Sequence, residues 1–135
     1  MADCMRVMRV WLISNRFRDA LVQSNATGWE TAPAELMGIN GAPIAGYHQL
    51  IVKGESGELL LDKAQRVIVN KGTRELPYLK GCRIDESDWD QQDIFAPRGQ
   101  YYVIITELVA EAVLQLNPTG VALMEFKDYQ KLDLG

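Results

Sequence analysis

Apolar and polar positions follow one scheme at two places in the chain. Val10 to Ile13 and Tyr101 to Ile105 are short apolar runs rich in β-branched residues, a pattern that predicts buried strands. Each run ends on a hydroxyl residue, Ser14 or Thr106, whose side-chain oxygen suits the free N–H groups of a helix start. Val109, Ala112, Val113 and Leu116 then recur at i, i+3, i+4 and i+7, which lays one apolar stripe along a helix. Phe17, Ala20 and Leu21 do the same over a shorter length. Asn25 and Asn117 suit helix C-termini, where a left-handed conformation is common, and Pro118 reinforces the second stop. Gly28–Ala32 and Gly120–Phe126 then predict two further strands.

These segments align at an offset of 92 residues, with identities at Ile13/Ile105, Ala20/Ala112, Gln23/Gln115, Asn25/Asn117, Thr27/Thr119 and Gly28/Gly120. The pattern predicts one domain over 1–135 holding a repeated strand–helix–strand unit, about 10–32 and 102–126. Between the copies, Tyr47–Val52 and Arg66–Asn70 read as strands, and Gly54 to Glu58 as a turn before Leu59-Leu60-Leu61. Ala32–Gly46, with Pro33, Pro43 and three glycines, reads as a long loop, and Pro77 and Gly81 mark another connection. The expected fold is α+β: a mixed, largely antiparallel sheet with two helices packed on it.

Composition alters this picture little. Apolar residues make up 47% and charged residues 24% of the 135, close to globular averages. No apolar run approaches the roughly 20 residues that span a bilayer, and charges interrupt the opening residues, so neither membrane nor export signal is expected. Cys4 and Cys82 lie far apart and suit reduced thiols in a cytoplasmic protein; the Asn25-Ala26-Thr27 sequon is then incidental.

Charge is more informative. The net value is −4, yet Asp85, Glu86, Asp88, Asp90 and Asp93 place five acids and no base within nine residues, leaving 14 bases against 13 acids elsewhere. This argues against a nucleic-acid binder and for one acidic patch. Trp89 lies inside the patch and Phe95 just after it, with Tyr78 a further aromatic upstream. Aromatics among charges resemble an interface hot spot with an acidic rim. The candidate partner-binding residues are therefore Asp85, Glu86, Asp88, Trp89, Asp90, Asp93 and Phe95, although the same stretch also suits a solvated loop. An EF-hand reading fails for want of its glycine and its final glutamate.

Candidate catalytic chemistry is thin. A nucleophile–histidine arrangement could use only His48, and no phosphate loop or nucleophile elbow is present. One histidine makes a zinc site unexpected, and no cofactor is expected.

Ile13-Ser14-Asn15-Arg16-Phe17-Arg18-Asp19-Ala20-Leu21 and Thr27-Gly28-Trp29-Glu30 resemble segments of bacterial immunity protein family eleven. So do Asp93-Ile94-Phe95-Ala96-Pro97-Arg98-Gly99, Ile104-Ile105-Thr106-Glu107 and Thr119-Gly120-Val121. The resemblance implies a small cytoplasmic protein that neutralises a polymorphic toxin by binding it, with no catalytic set to transfer. The leading expectation is therefore a non-enzymatic immunity protein whose partner is a toxin with a basic surface. Two alternatives stand beside it. One is a small-ligand binder or enzyme using the 32–46 loop and His48. The other is an accessory or oligomerisation domain, and a homo-oligomer is compatible with any of the three.

Overall fold

The computed structural model describes residues 2–81, 83–100 and 102–132. In chain order they form β1 (Cys4–Val7), β2 (Val10–Ser14), α1 (Asn15–Gln23), β3 (Trp29–Pro33), β4 (Leu36–Met37), β5 (Pro43–Ile44) and β6 (Tyr47–Val52). Then come β7 (Gly54–Ser56), β8 (Leu59–Leu60), β9 (Gln65–Lys71), β10 (Arg74–Lys80), β11 (Arg83–Ile84) and β12 (Ile94–Pro97). The last elements are β13 (Ile104–Ile105), α2 (Glu107–Leu116) and β14 (Gln130–Leu132). The fold is α+β, with two helices against small, mostly antiparallel sheets.

The largest sheet has the order β1-β2-β6-β3, every neighbour antiparallel. A second sheet, β13-β12-β7, contains a parallel pair in which Phe95 lies opposite Gly54. The core forms where both helices meet these sheets. Phe17 and Leu21 from α1, and Val109 and Val113 from α2, sit four residues apart on one face of each helix. They close over Cys4, Ile13 and Ile94, flanked by Trp29, Leu50, Val52 and Ile105. Burying side chains of this size stabilises the fold by about 1.5–3 kcal/mol each.

Two aspartates, Asp3 and Asp93, make similar sets of bonds across the core. The Ser14 hydroxyl donates to Asp3 Oδ1 at 2.8 Å, and the Thr106 hydroxyl to Asp93 Oδ1 at 2.8 Å. The Thr119 N–H donates to Asp3 Oδ2 at 3.0 Å, and the Thr27 N–H to Asp93 Oδ2 at 2.9 Å. Each aspartate therefore ties the helix start of its own half to the threonine that follows the helix of the other. The backbone repeats the exchange, with Asp3 N–H bonded to the Thr119 carbonyl and Ile94 N–H to the Thr27 carbonyl.

The glycine after each threonine permits this close approach. Gly28 and Gly120 have φ of +91° and +79°. A Cβ at Gly28 would run into the Ile94 carbonyl, and one at Gly120 would lie 2.7 Å from the Cys4 carbonyl. Gly28→Ala should cost about 3 kcal/mol, combining left-handed strain of about 1–2 kcal/mol with overlap against backbone. Denaturant titration measures it, and a loss under 1 kcal/mol would mean that the crossing is loose.

Several elements differ from the sequence expectation for identifiable reasons. Ser14 caps α1, accepting from Phe17 N–H at 3.2 Å while donating to Asp3; Thr106 stands at the start of α2 and donates to Asp93, but its side chain makes no cap bond. Asn25 and Asn117 take the left-handed conformation, with φ of +60° and +50°. Gly28–Ala32 matches β3 within a residue, whereas 120–126 is no strand. β3 is hydrogen-bonded to β6, whereas 121–125 enters no strand pair among the described residues. Of the run from Tyr101, that residue lies outside the described set and only Ile104–Ile105 is strand. The 32–46 loop closes into the β4–β5 hairpin, Leu36 opposite Ile44. Pro77 falls inside β10, opposite Ile68. The two-residue turn makes Lys71 and Arg74 a hydrogen-bonded pair, so alternation points the Pro77 nitrogen away from β9, where its missing N–H costs that ladder nothing.

Candidate functional site

The acidic segment separates into residues that build its frame and residues that the frame displays. Asp85 accepts from Ser87 N–H at 3.1 Å and so caps the short 3-10 turn Glu86–Asp88. The Ser87 hydroxyl and N–H hold the Asp85 carboxyl below its ordinary value. Asp90 accepts from Glu55 N–H at 2.9 Å and from Gln92 N–H at 3.2 Å, fastening the segment to β7. Asp93 is the strut between the halves. Burial pushes its carboxyl up, but the Thr27 N–H and the Thr106 and Thr27 hydroxyls outweigh burial and leave it low.

The two aromatics are also unequal. Phe95 is only 4% exposed, so it serves the interior and not a partner, contrary to the sequence expectation. Asp93 is likewise committed internally. Trp89 is half-buried, its ring 5.2 Å from that of Phe95 and tilted by 41°, a favourable aromatic geometry. Its indole N–H is buried with no hydrogen-bond partner among the described residues. Tyr78 lies apart on β10, half-buried, with Lys71 Nζ 5.9 Å from its ring centre.

What remains on display is Glu86 and Asp88, both exposed, beside the edge of Trp89. The fold adds Glu58, whose carbonyl accepts from Asp85 N–H at 3.1 Å, and exposed Glu55. Arg98 joins them, 3.3 Å from the Glu55 carboxylate and 3.9 Å from that of Asp88. Both pairs are half-exposed, a setting in which ion pairs contribute about 0–1 kcal/mol, so Arg98 moderates the negative field without abolishing it. Glu55 and Glu58 lie some thirty residues before the acidic run, and no periodicity links them to it. The β8–β11 pairing, Ile84 opposite Leu59, and the bonds of Asp85 and Asp90 to 55–58 bring them together.

At the far end of the main sheet, His48 Nε2 lies 2.9 Å from Arg18 and 2.6 Å from Asn15 Oδ1. Arg18 can only donate and Asn15 Oδ1 can only accept, so the two contacts ask opposite roles of Nε2, which meets one of them at a time, and both tie the ring into local structure. His48→Ala should leave partner binding within about twofold of the parent, read by titration calorimetry; a tenfold loss in a folded variant would move the site to this end. Cys4 is buried, and burial followed by the nearby Asp3 charge pushes its thiol up to about 11. Cys82 lies outside the described residues. Among the described residues no group of three or more His, Cys, Asp or Glu is placed to hold a metal, and no helix is long and apolar enough to cross a membrane. The chain matches no known protein-family model and no curated protein sequence.

Proposed function

We propose that this chain is a cytoplasmic, non-enzymatic immunity protein that neutralises a bacterial toxin by binding it through the Glu86–Asp88–Trp89 surface. The observation that carries the reading is the division of labour in the acidic segment. Asp85, Asp90 and Asp93 spend their carboxylates on backbone N–H groups, which fixes the loop, while Glu86 and Asp88 stay exposed beside an aromatic edge. A rigid acidic rim around a half-buried tryptophan suits a basic partner with an apolar recess. The resemblance of about 10–35 and 82–127 to immunity protein family eleven supports the same class. The decisive experiment tests the product of the neighbouring gene as the toxin: growth arrest by that product, rescue by this chain and a stable complex of the two are expected. Rescue without a complex, or neither, would refute neutralisation by binding.

A further inference from the structure

The sheet β14-β10-β9 leaves one long edge uncovered. Among the described residues no strand pairs with the outer side of β9, which runs seven residues from Gln65 to Lys71. Because Lys71 and Arg74 form a hydrogen-bonded pair across the turn, Val67 and Val69 bond inward to β10, and Ile68 and Asn70 turn their backbone N–H and C=O groups outward. Ile68 is 60% exposed at the middle of that edge. An edge of this length with an apolar centre is a template for another strand.

The sequence of β9 selects which strand. Laid antiparallel against a copy of itself about Ile68, it sets Ile68 against the second copy's Ile68 and Val67 against the second copy's Val69. Arg66 then faces Asn70, and Lys71 faces Gln65, so no cation meets a cation although the strand carries two bases and no acid. All seven residues find opposites, and the outward backbone groups of the two copies meet. We infer that β9 is a homodimerisation edge, joining two chains about a two-fold axis into one continuous antiparallel sheet. The surface is separate from the Glu86–Asp88–Trp89 rim and does not depend on the toxin reading.

Sedimentation of the full chain tests this. At tens of micromolar the species should have twice the 15.2 kDa chain mass. Ile68→Lys sets lysine against lysine at the axis and should restore the single-chain mass, while Ile68→Val should not. A single-chain mass for the parent at several hundred micromolar, or a dimer that survives Ile68→Lys, would overturn the inference. Should Ile68→Lys fail to fold, Ile68→Cys in a Cys82→Ser background decides the matter. A hydrogen-bonded antiparallel pair places its Cα atoms about 5.5 Å apart, within disulfide reach, so mild oxidation should give covalent dimer. Its absence at dimer-forming concentrations would equally refute the pairing.

Discussion

Asp3→Ala is expected to destabilise the protein by about 3–4 kcal/mol, because hydrogen bonds to a charged group contribute about 1.5–3 kcal/mol each and several converge here. Asp3 is 7% exposed. Its carboxylate accepts from the Ser14 hydroxyl at 2.8 Å, from Arg16 Nε at 2.9 Å and from the Thr119 N–H at 3.0 Å. The Arg16 guanidinium first, then the Thr119 N–H, hold its carboxyl well below the usual carboxylate range. Such a group favours folding fully above its unfolded value of about 3.9, and the contribution is lost as pH falls towards the lower folded value. Asp93, also held low, acts with the same sign. Stability should therefore be flat near neutrality and fall steeply below about pH 4. Asp3→Asn, which keeps the shape without the charge, should be less stable at pH 7 and show a shallower acid slope. Urea titrations from pH 7 to pH 2 measure both, and an unchanged slope in the variant would remove Asp3 from the acid response.

The second large effect concerns binding. Reversing Glu86 and Asp88 to Lys together changes the rim by four charge units while leaving Asp85, Asp90 and Asp93 on their backbone donors. Association with a basic toxin should slow by at least tenfold at low salt, and its salt dependence should flatten. Trp89→Ala should act on dissociation, since a packed aromatic contributes through burial. Asp90 is a poor choice for reversal despite its place in the acidic run. Losing its bonds to Glu55 and Gln92 would loosen the loop and confuse charge with shape. Stopped-flow kinetics at two salt concentrations separate these outcomes, and unchanged rates in both variants would place the contact surface elsewhere.

Local chemistry was legible in the sequence wherever a residue's role is set by its own neighbours. Ser14 at a helix start, Asn25 and Asn117 in left-handed geometry, and the apolar stripes of both helices are of this kind. Thr106 stands at a helix start as its position predicts, but it donates to a carboxylate thirteen residues away and makes no cap bond, a difference from Ser14 that its own neighbours do not reveal. Nothing in the local pattern marks Asp3, since its partner Thr119 is 116 residues distant. Segment 121–125 is apolar enough for a strand, but strand formation depends on a neighbour that sequence pattern does not supply. The acidic run was visible as charge. Its partition into struts and displayed groups was not, because Thr27, Glu55 and Thr106 approach from other elements.

The bonds between Asp3 and Thr119 also bear on how the protein is made. A chain emerging residue by residue can form β1, β2 and α1 early, yet the carboxylate that joins them to the other half has no threonine to meet until nearly the whole domain has been synthesised. Until then Asp3, Cys4 and one side of Ile13 face solvent or a holding chaperone. Contacts this distant in sequence slow closure, so the nascent first half should be the species most prone to aggregate. Slowing translation within the first half would lengthen that exposure.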